Sequence, residues 1–292
     1  VAATDTEVVL VMGIPGAGKS RVAERLAAEG YVRLNRDERG GTLRDLDAAL
    51  DDELAHGSGR VVLDNTYLGR ATRSHVVETA ARHGVGVRCV WLDTPLAAAQ
   101  VNLVERLLDR FGALPGPEEL RAASRAEPGL LAPTSQMRAL RELEPPTDDE
   151  GFAGVERVPF ERLAAPGRDA AGVLVAAGAI GAEGWEAAIA DAAPGAPHLV
   201  FEWLPDGAAD DLADAVERLA RLVSGAVDAA VCPHGGGPPV CWCRPPLPGL
   251  ALAFSRAHGV DLSRSTVVGT SPAHRTLATA LGAGAVLLPP AD

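Results

Sequence analysis

Short apolar runs alternate along the chain with segments whose apolar positions recur at helical spacing. In the first half, the apolar runs predict strands near residues 7–12, 31–34, 60–64 and 86–92, with a last strand near 155–159. Helical spacing predicts helices near 19–28, 43–56, 70–83 and 95–110. This alternation is typical of a parallel sheet with crossover helices. The first half is therefore predicted to form an α/β domain.

The pattern changes twice further along. Residues 112–149 form short helical stretches interrupted by proline, which suits a lid better than a core element. After the Ala/Pro/Gly segment at 164–167, a second alternating series begins. It predicts strands near 172–176, 198–203, 227–232, 265–268 and 285–288, and helices near 183–193, 209–223, 249–258 and 273–281. We expect two α/β domains: residues 1–165, with a lid over about 106–145, and residues 166–292.

Composition narrows the class of protein. Hydrophobic residues make up 47% and charged residues 23% of the 292 residues. The sequence has no apolar stretch of membrane-spanning length and no basic segment followed by an apolar signal core. We therefore expect a soluble, cytoplasmic protein without a membrane partner.

The net charge of −12 excludes a general basic coat for nucleic acid, so a polyanion would need a local patch. One group of arginines is a candidate for such a patch, although solvated helix faces explain any single member equally well. The group comprises Arg106, Arg110, Arg121, Arg125, Arg138 and Arg141.

Lysine occurs once in the chain, at Lys19, within Gly13-Ile-Pro-Gly16-Ala17-Gly18-Lys19-Ser20. This is a Walker A pattern, and it stands between a predicted strand and a predicted helix. In such a P-loop, backbone N–H groups cradle phosphates, the lysine reaches the β/γ oxygens and the serine hydroxyl ligates Mg²⁺. The segment predicts an ATP–Mg²⁺ site.

Two aspartates follow successive predicted strands. Asp37 belongs to Asn35-Arg36-Asp37, and Asp64 ends Val61-Val-Leu-Asp64. Ligands of open α/β sheets bind at the carboxyl ends of the strands. An aspartate there can accept a proton from a substrate hydroxyl or order the Mg²⁺ hydration shell. Either residue alone could instead be a helix cap or turn residue.

Arg106 and Arg110 are four residues apart and therefore share one helix face. Arginines just before a lid can fold over a nucleotide and stabilise the charge on the transferred phosphoryl group. We predict this role for both side chains.

These residues together resemble the 5′-hydroxyl polynucleotide kinases of DNA and RNA repair, over roughly residues 7–160. The shared features are the P-loop, the Asn-Arg-Asp segment, the strand ending in Asp64-Asn65-Thr66 with Arg70 and Arg73 downstream, and a tail. That tail contains Pro145-Pro146-Thr147, Glu150-Gly151-Phe152 and Val158-Pro159-Phe160.

The resemblance implies a P-loop NTPase sheet with a helical lid, and transfer of the ATP γ-phosphate to a 5′-OH end of DNA or RNA. It implies that Asp37 is the general base and that Arg106 and Arg110 make the lid contact. The acceptor would be bound by Arg36, Asn65, Arg70 and Arg73, with Arg73 on its phosphate. Two departures concern the acceptor: the stretch 101–105 is less basic than the family pattern, and acidic Glu38 follows Asp37.

The second half carries a cysteine cluster. Cys232, His234, Cys241 and Cys243 supply three thiolates and one imidazole within the loop 232–243. Four such ligands suit a tetrahedral, structural Zn²⁺, because no coordination position is left open for catalysis. Inert thiols are the alternative, and Cys89, in an apolar run, is expected to be a buried hydrophobic residue.

This loop, with Arg244-Pro-Pro-Leu-Pro and Val267-Val-Gly269, resembles the haloacid dehalogenase (HAD) superfamily and its zinc-loop phosphatases. The resemblance implies a HAD-like (Rossmannoid) α/β domain. The positions that carry its chemistry are nevertheless occupied by unsuitable residues, namely Val175, Ala177, Glu202 or Trp203, Pro245, Thr270 and His274. We therefore predict a pseudophosphatase that serves self-association, substrate positioning or docking of other repair proteins. The alternative is that Asp169 or Asp261 supplies the missing acid.

Three functions remain open from the sequence. The first is the 5′-polynucleotide kinase with an inactive phosphatase-like domain. The second is a kinase for a small-molecule hydroxyl, such as a nucleoside, sugar or antibiotic, which the acidic net charge favours. The third is a nucleotide-dependent scaffold, against which the presence of both Asp37 and Asp64 argues.

Overall fold

The computed structural model describes residues 6–162 and 165–290. It divides into two compact units. Unit 1 holds the described residues up to Asn102, with Ser124–Leu131 and Ser135–Glu161. Unit 2 holds Leu103–Ala123, Ala132–Thr134 and the described residues from Arg162 onwards. The region expected to be a lid is thus divided between the units, and the linker expected at 164–167 begins on Ala164, which lies outside the described residues.

Unit 1 contains a five-stranded parallel sheet. Its strands are β1 (Glu7–Met12), β2 (Val32–Asn35), β3 (Arg60–Asp64), β4 (Val87–Asp93) and β5 (Gly154–Pro159). The order is β2-β3-β1-β4-β5. Residues 8–12 are completely buried, as expected for a central strand covered by helices on both faces. Because β1 lies between β3 and β4, the loop after β1 opens at the point where the strand order reverses, which is where such sheets bind ligands.

Four helices in the first part of the chain match the predicted spacing closely: α1 (Lys19–Ala28), α3 (Leu43–Ala55), α4 (Arg70–Arg82) and α5 (Leu96–Phe111). A short helix that was not predicted, α2 (Arg36–Arg39), follows β2. The proline-interrupted region forms α6 (Pro117–Ala126), α7 (Pro133–Glu142) and a short 3₁₀ turn, Asp148–Glu150. Proline stands at the first position of α6 and α7, where its missing N–H has no helical partner to lose.

Unit 2 contains a second parallel sheet of five strands. Its strands are β6 (Val173–Ala176), β7 (His198–Trp203), β8 (Val227–Cys232), β9 (Thr266–Gly269) and β10 (Gly284–Leu287). The order is β10-β9-β6-β7-β8. The intervening helices are α8 (Trp185–Ala192), α9 (Ala213–Ala220), α10 (Gly249–His258) and α11 (Pro272–Leu281). The prediction of two parallel α/β sheets is confirmed.

The described part of the chain contains no helix that combines the length and apolarity needed to cross a membrane.

Candidate phosphate site and cysteine–histidine cluster

The P-loop owes its shape to its glycines. Gly13, Gly16 and Gly18 have φ angles of 149°, 84° and 97°, a region that side chains with a Cβ rarely adopt. A Cβ on Gly13 would lie 2.9 Å from the carbonyl oxygen of Leu92. Gly18 caps α1, which begins at Lys19. The loop therefore leads directly into a helix N-terminus, whose N–H groups and dipole favour an anion.

The carbonyl groups of the loop are held by side chains from outside it. Three successive carbonyl oxygens accept hydrogen bonds: Ala17 from Thr94 Oγ1 at 3.0 Å, Gly16 from Asn102 Nδ2 at 2.8 Å, and Pro15 from Gln136 Nε2 at 2.9 Å. Gln136 is completely buried. These bonds fix the loop conformation before any phosphate arrives, which lowers the entropic cost of binding.

The ammonium of Lys19 lies over its own loop. Nζ donates to the carbonyl oxygens of Gly13 and Ile14, both at 3.0 Å. A positive charge is therefore held at the loop, half-buried, next to the start of α1. Phosphate oxygens can replace these two carbonyls as acceptors, with the stronger interaction of a charged pair. Ser20, also half-buried, is the second residue of α1.

Asp64 lies beside this loop and is almost completely buried, with 2% of its surface exposed. Its Oδ2 accepts hydrogen bonds from Arg33 Nη2 at 2.6 Å and Asn35 Nδ2 at 2.8 Å. The carbonyl oxygen of Thr66, two residues further on, accepts from Gly13 N at 3.3 Å. The structure therefore brings Asp64 and the P-loop to the same edge of the first sheet, as expected from the strand order.

Asp37 is the exposed acid of this edge. It lies in the first turn of α2, and 44% of its side chain is exposed. Asn35 caps that helix: its Oδ1 accepts from the backbone N–H of Asp37 at 2.8 Å. The carboxylate has a weak contact with Arg36, at 3.4 Å. Glu38, the acidic residue that departs from the family pattern, forms an ion pair with Arg33 at 2.7 Å.

Arg73 is enclosed rather than presented to a ligand. Its side chain has no exposed surface and forms a two-point ion pair with Glu150, with both N–O distances 2.7 Å. Its Nη1 donates to the carbonyl oxygens of Tyr67, Leu68 and Glu144. Since these five contacts engage all three guanidinium nitrogens of a completely buried side chain, the geometry does not support the acceptor-phosphate contact that the resemblance implies. Arg73 instead ties the tail of the motif to α4.

The other residues implied in acceptor binding are placed as follows. Arg70, at the start of α4, is half exposed and pairs with Asp149 at 3.0 Å. Asn65 is buried, and its Oδ1 accepts from the Thr66 backbone N–H at 2.7 Å. Arg36 is half-buried next to Asp37.

Arg106 and Arg110 are exposed on α5 and belong to unit 2. Lys19 and Asp64 belong to unit 1. The contact of these two arginines with a nucleotide therefore stays a prediction.

Sequence reasoning missed the residues that support the loop and the acid: Arg33, Thr94, Asn102 and Gln136. Asn102 lies in the stretch 101–105, which was noted only for being less basic than the family pattern, and it is 86 residues from its partner Gly16. Thr94 and Gln136 are separated from the loop by 77 and 121 residues. Nothing in their local pattern indicates such contacts.

Cys232, His234, Cys241 and Cys243 form one compact cluster in unit 2. Their ligand atoms all lie within 4.8 Å of one another. Two S–N distances are 3.6 and 3.2 Å, and the Cys232–Cys241 sulfur distance is 3.6 Å. Tetrahedral zinc with ordinary bond lengths separates its ligand atoms by about 3.5–3.8 Å. The donor set suits such an ion, and the cluster is close to the size that a tetrahedral site requires.

Apolar residues stand at the carboxyl end of β6, the central strand of the second sheet. Val175 is buried in the central strand and Ala177 follows it. Glu202 accepts from Gly178 N at 3.4 Å. His274 Nδ1 accepts from the Thr270 N–H at 3.0 Å, and burial lowers the pKa of this imidazole.

Comparison with known proteins supports the assignment of the first unit. A family model described as an AAA domain matches residues 8–127. The bifunctional polynucleotide phosphatase/kinase of Schizosaccharomyces pombe is 28% identical over 158 residues, which are 54% of this chain and 34% of that protein. The match thus spans only about a third of the relative. With the loop geometry, these matches indicate a P-loop, ATP-binding domain of the kinase type.

Several solved structures are similar at a low level. A gluconokinase from Sinorhizobium meliloti has a TM-score of 0.38 and 22% identity, covering 55% of this chain and 85% of its own. A fungal RNA kinase has a TM-score of 0.37 and 12% identity, covering 52% and 74%. These scores are too low to support a conclusion about the acceptor.

Proposed function

We propose that this chain transfers the γ-phosphate of ATP to a 5′-hydroxyl end of DNA or RNA. The proposal is carried by three features at one edge of the first sheet. A preformed P-loop follows β1, the buried Asp64 ends β3, and the exposed Asp37 follows β2. Phosphoryl transfer requires these parts: an anion cradle, a metal-ordering carboxylate and a base. The polynucleotide acceptor is supported by the similarity to the yeast phosphatase/kinase.

In this mechanism the loop N–H groups and Lys19 bind the β- and γ-phosphates and stabilise charge in the transition state. Ser20 and Asp64 would hold Mg²⁺, which neutralises phosphate charge when bound. Asp37 accepts the proton of the acceptor hydroxyl while the hydroxyl oxygen forms a bond to the γ-phosphorus. The bond from that phosphorus to the bridging oxygen breaks, and ADP leaves with the electron pair.

The direct test uses labelled ATP, Mg²⁺ and a panel of 5′-OH DNA, 5′-OH RNA and nucleosides. We expect label on the oligonucleotides. Lys19→Ala should lower transfer by about a thousandfold, whereas Arg21→Ala, at an exposed position on the same helix, should not. A failure to transfer label to either oligonucleotide would overturn the proposal. Normal transfer by an Asp37→Ala variant would show that Asp37 is not the base.

A small-molecule acceptor is the second candidate, and one cavity favours it. A cavity of about 420 Å³ in unit 1 is lined by Arg39, Asp45, Ala48, Ala49, Asp52, Glu53 and His56. Small-molecule sites commonly have about 300–1,000 Å³, and three acids in the lining repel a polyanion. Label on nucleosides alone would support this candidate. Steep salt dependence of acceptor binding would instead favour the polynucleotide.

We further propose that unit 2 is HAD-like and has no phosphatase activity. The side chains of Val175 and Ala177 can neither attack phosphorus nor transfer a proton. Asp261, the alternative acid, accepts from Ser263 N at 2.9 Å and caps a 3₁₀ turn. Incubation with a 3′-phosphate oligonucleotide should release no phosphate, and clear Mg²⁺-dependent release would contradict the proposal.

The cysteine–histidine cluster is proposed to hold a structural Zn²⁺. Metal analysis of the purified protein should find about one equivalent, since four protein ligands complete a tetrahedral site. Cys241→Ser should lose the metal. Cys89→Ser, which changes a buried thiol in β4 of the other unit, should retain it.

A further inference from the structure

The loop between β3 and α4 supports the P-loop within unit 1. Because β1 and β3 are neighbouring parallel strands, the segments that follow them leave the sheet side by side. The carbonyl oxygen of Thr66 accepts a hydrogen bond from the N–H of Gly13 at 3.3 Å. The carbonyl oxygen of Gly13 in turn accepts from Lys19 Nζ at 3.0 Å. The position of residues 65–68, which we call the support loop, therefore fixes the first residue of the P-loop.

The support loop has a conformation that needs outside contacts. Tyr67 has a φ angle of 45°, in the left-handed region that residues with a Cβ rarely adopt. Its side chain is buried in a hydrophobic cluster with Leu46 of α3 and Val76 of α4. Its hydroxyl finds no hydrogen-bond partner among the residues that the structure describes. Both features cost free energy, so other contacts must hold the loop in this shape.

Arg73 and Glu150 supply those contacts. Arg73 Nη1 donates to two successive carbonyl oxygens of the support loop, those of Tyr67 at 3.1 Å and Leu68 at 3.0 Å. Glu150 accepts from Nε and Nη2 of the same guanidinium, both at 2.7 Å. The N–H of Glu144 also donates to the carbonyl oxygen of Leu68, at 2.9 Å. Since a two-point arginine–carboxylate contact fixes orientation as well as distance, Glu150 determines where Arg73 holds the loop.

We propose that Arg73 and Glu150 are positioning residues for the ATP phosphates, acting through the support loop on Gly13. Both side chains are buried, so they act through the backbone and not on the nucleotide itself. The N–H groups of a P-loop must converge on the phosphates, and a displaced first residue lowers the affinity for a nucleotide. The role in phosphoryl transfer rests on the proposed function, whereas the effect on nucleotide binding does not depend on the acceptor.

The test compares Arg73→Lys with Arg82→Lys in the full chain, by isothermal titration calorimetry with ADP and Mg²⁺. Lysine keeps the positive charge beside Glu150 but lacks the planar fork that contacts the carboxylate and the loop carbonyls together. Arg82 lies on the same helix, and its side chain is 61% exposed. We expect Arg73→Lys to weaken ADP binding about fivefold or more and Arg82→Lys to leave it unchanged. Equal affinities in the two variants would overturn the proposal.

A third variant, Leu54→Ala, separates positioning from a general loss of stability. Leu54 is buried in the last turn of α3, and its truncation lowers stability through lost packing. Urea denaturation measures the stability of each variant, and ADP affinity is measured well below the unfolding transition. The affinity should fall in Arg73→Lys and not in Leu54→Ala. A loss of affinity that follows the loss of stability equally in both variants would overturn the proposal.

Hydrogen–deuterium exchange reports on the P-loop without a nucleotide. The amides of residues 13–14 should exchange faster in Arg73→Lys than in the wild type and Arg82→Lys. Unchanged exchange in Arg73→Lys would overturn the proposal. A wild-type chain that binds ADP but labels no acceptor would instead overturn the proposed function alone, and the affinity and exchange data would still decide the role of Arg73.

Discussion

Asn35 joins the two acids of the candidate site through one amide group. Its Nδ2 donates to Asp64, and its Oδ1 accepts from the backbone N–H of Asp37. Asn35 and Asp64 are also register partners at the ends of β2 and β3. A single side chain therefore sets the distance between the buried carboxylate and the helix that carries the exposed one. Asparagine suits this task because it can donate and accept at the same time.

We predict that Asn35→Asp lowers kcat by about tenfold or more, because a hydrogen bond to a charged group is worth about 1.5–3 kcal/mol. Aspartate keeps the helix cap but loses the donor, and it places a second negative charge beside Asp64. Steady-state kinetics with and without added Mg²⁺ measure the effect. Unchanged kcat would show that the link through Asn35 is not required.

Burial of the Arg73–Glu150 ion pair predicts a large stability effect. Breaking such a pair by removing one partner costs about 3–5 kcal/mol, because the other charge is left buried and unpaired. Arg73→Ala should therefore lower the free energy of unfolding by this amount in a denaturant titration. Arg70→Ala, which breaks a half-exposed pair on the same helix, should change it by less than about 1 kcal/mol.

The same pair predicts a response to acid. Burial raises the pKa of Glu150, but hydrogen bonds from Arg73 and Thr147 outweigh it and leave that pKa below its ordinary value of 4.5. A carboxyl group of this kind contributes stability at neutral pH that is lost as the pH falls from about 4.5 through the lowered pKa. Unfolding measured between pH 7 and 3 should show a shallower loss in Glu150→Gln than in the wild type.

Helix α7 supports the P-loop although it lies in the region expected to be a lid. Its residue Gln136 is completely buried and donates to the carbonyl oxygen of Pro15. Proline punctuation predicted the breaks between helices correctly. It did not predict that one of these helices reaches back to the loop, because that contact depends on packing across 121 residues.

We predict that Gln136→Met weakens ADP binding about five- to tenfold, because it removes the donor of a partly buried hydrogen bond, and such a bond contributes about 0.5–1.5 kcal/mol. Isothermal titration calorimetry measures the dissociation constant. Ser135→Ala, at an exposed position in the same helix, serves as the control. Equal affinities in the two variants would mean that the loop holds its shape without Gln136.

Periodicity predicted most of the strands and longer helices, but it did not predict the contacts between them. The predicted helix 95–110 is observed at Leu96–Phe111, and the predicted strand 31–34 at Val32–Asn35. Motif spacing also singled out the P-loop, Asp37 and Asp64, whose roles stay predictions, and the four residues that the fold brings together in the cysteine–histidine cluster. Arg73 shows the limit: the family resemblance implied phosphate binding, but its partner Glu150 lies 77 residues away, and only the fold shows that the two meet.

Each unit contains a five-stranded parallel sheet, and the residues at the carboxyl ends of the strands differ between the two sheets. The first edge carries Asp37 and Asp64 near its P-loop, whereas β6, the central strand of the second sheet, contains the buried Val175 and is followed by Ala177. The cysteine cluster in unit 2 is remote in sequence from the P-loop and offers a way to perturb one unit selectively.

We predict that chelation destabilises unit 2 and leaves the unfolding of unit 1 unchanged. Structural zinc contributes about 10–16 kcal/mol in small zinc-binding peptides, so metal removal should lower the unfolding midpoint of unit 2 strongly. Differential scanning calorimetry with and without chelator should shift one transition and leave the other, that of unit 1, in place. Wild-type-like transitions after complete metal removal would contradict a structural role.

The solitary lysine makes the P-loop chemically addressable. Within the 292 residues, Lys19 offers the sole ε-amine, and it lies where ATP phosphates are proposed to bind. An acyl-phosphate reagent built on ATP would therefore acylate one side-chain amine, and mass spectrometry of a single peptide would report its occupancy. When ATP, ADP or a candidate acceptor binds at this site, labelling of the Lys19 peptide should decrease. The decrease therefore measures binding at the site.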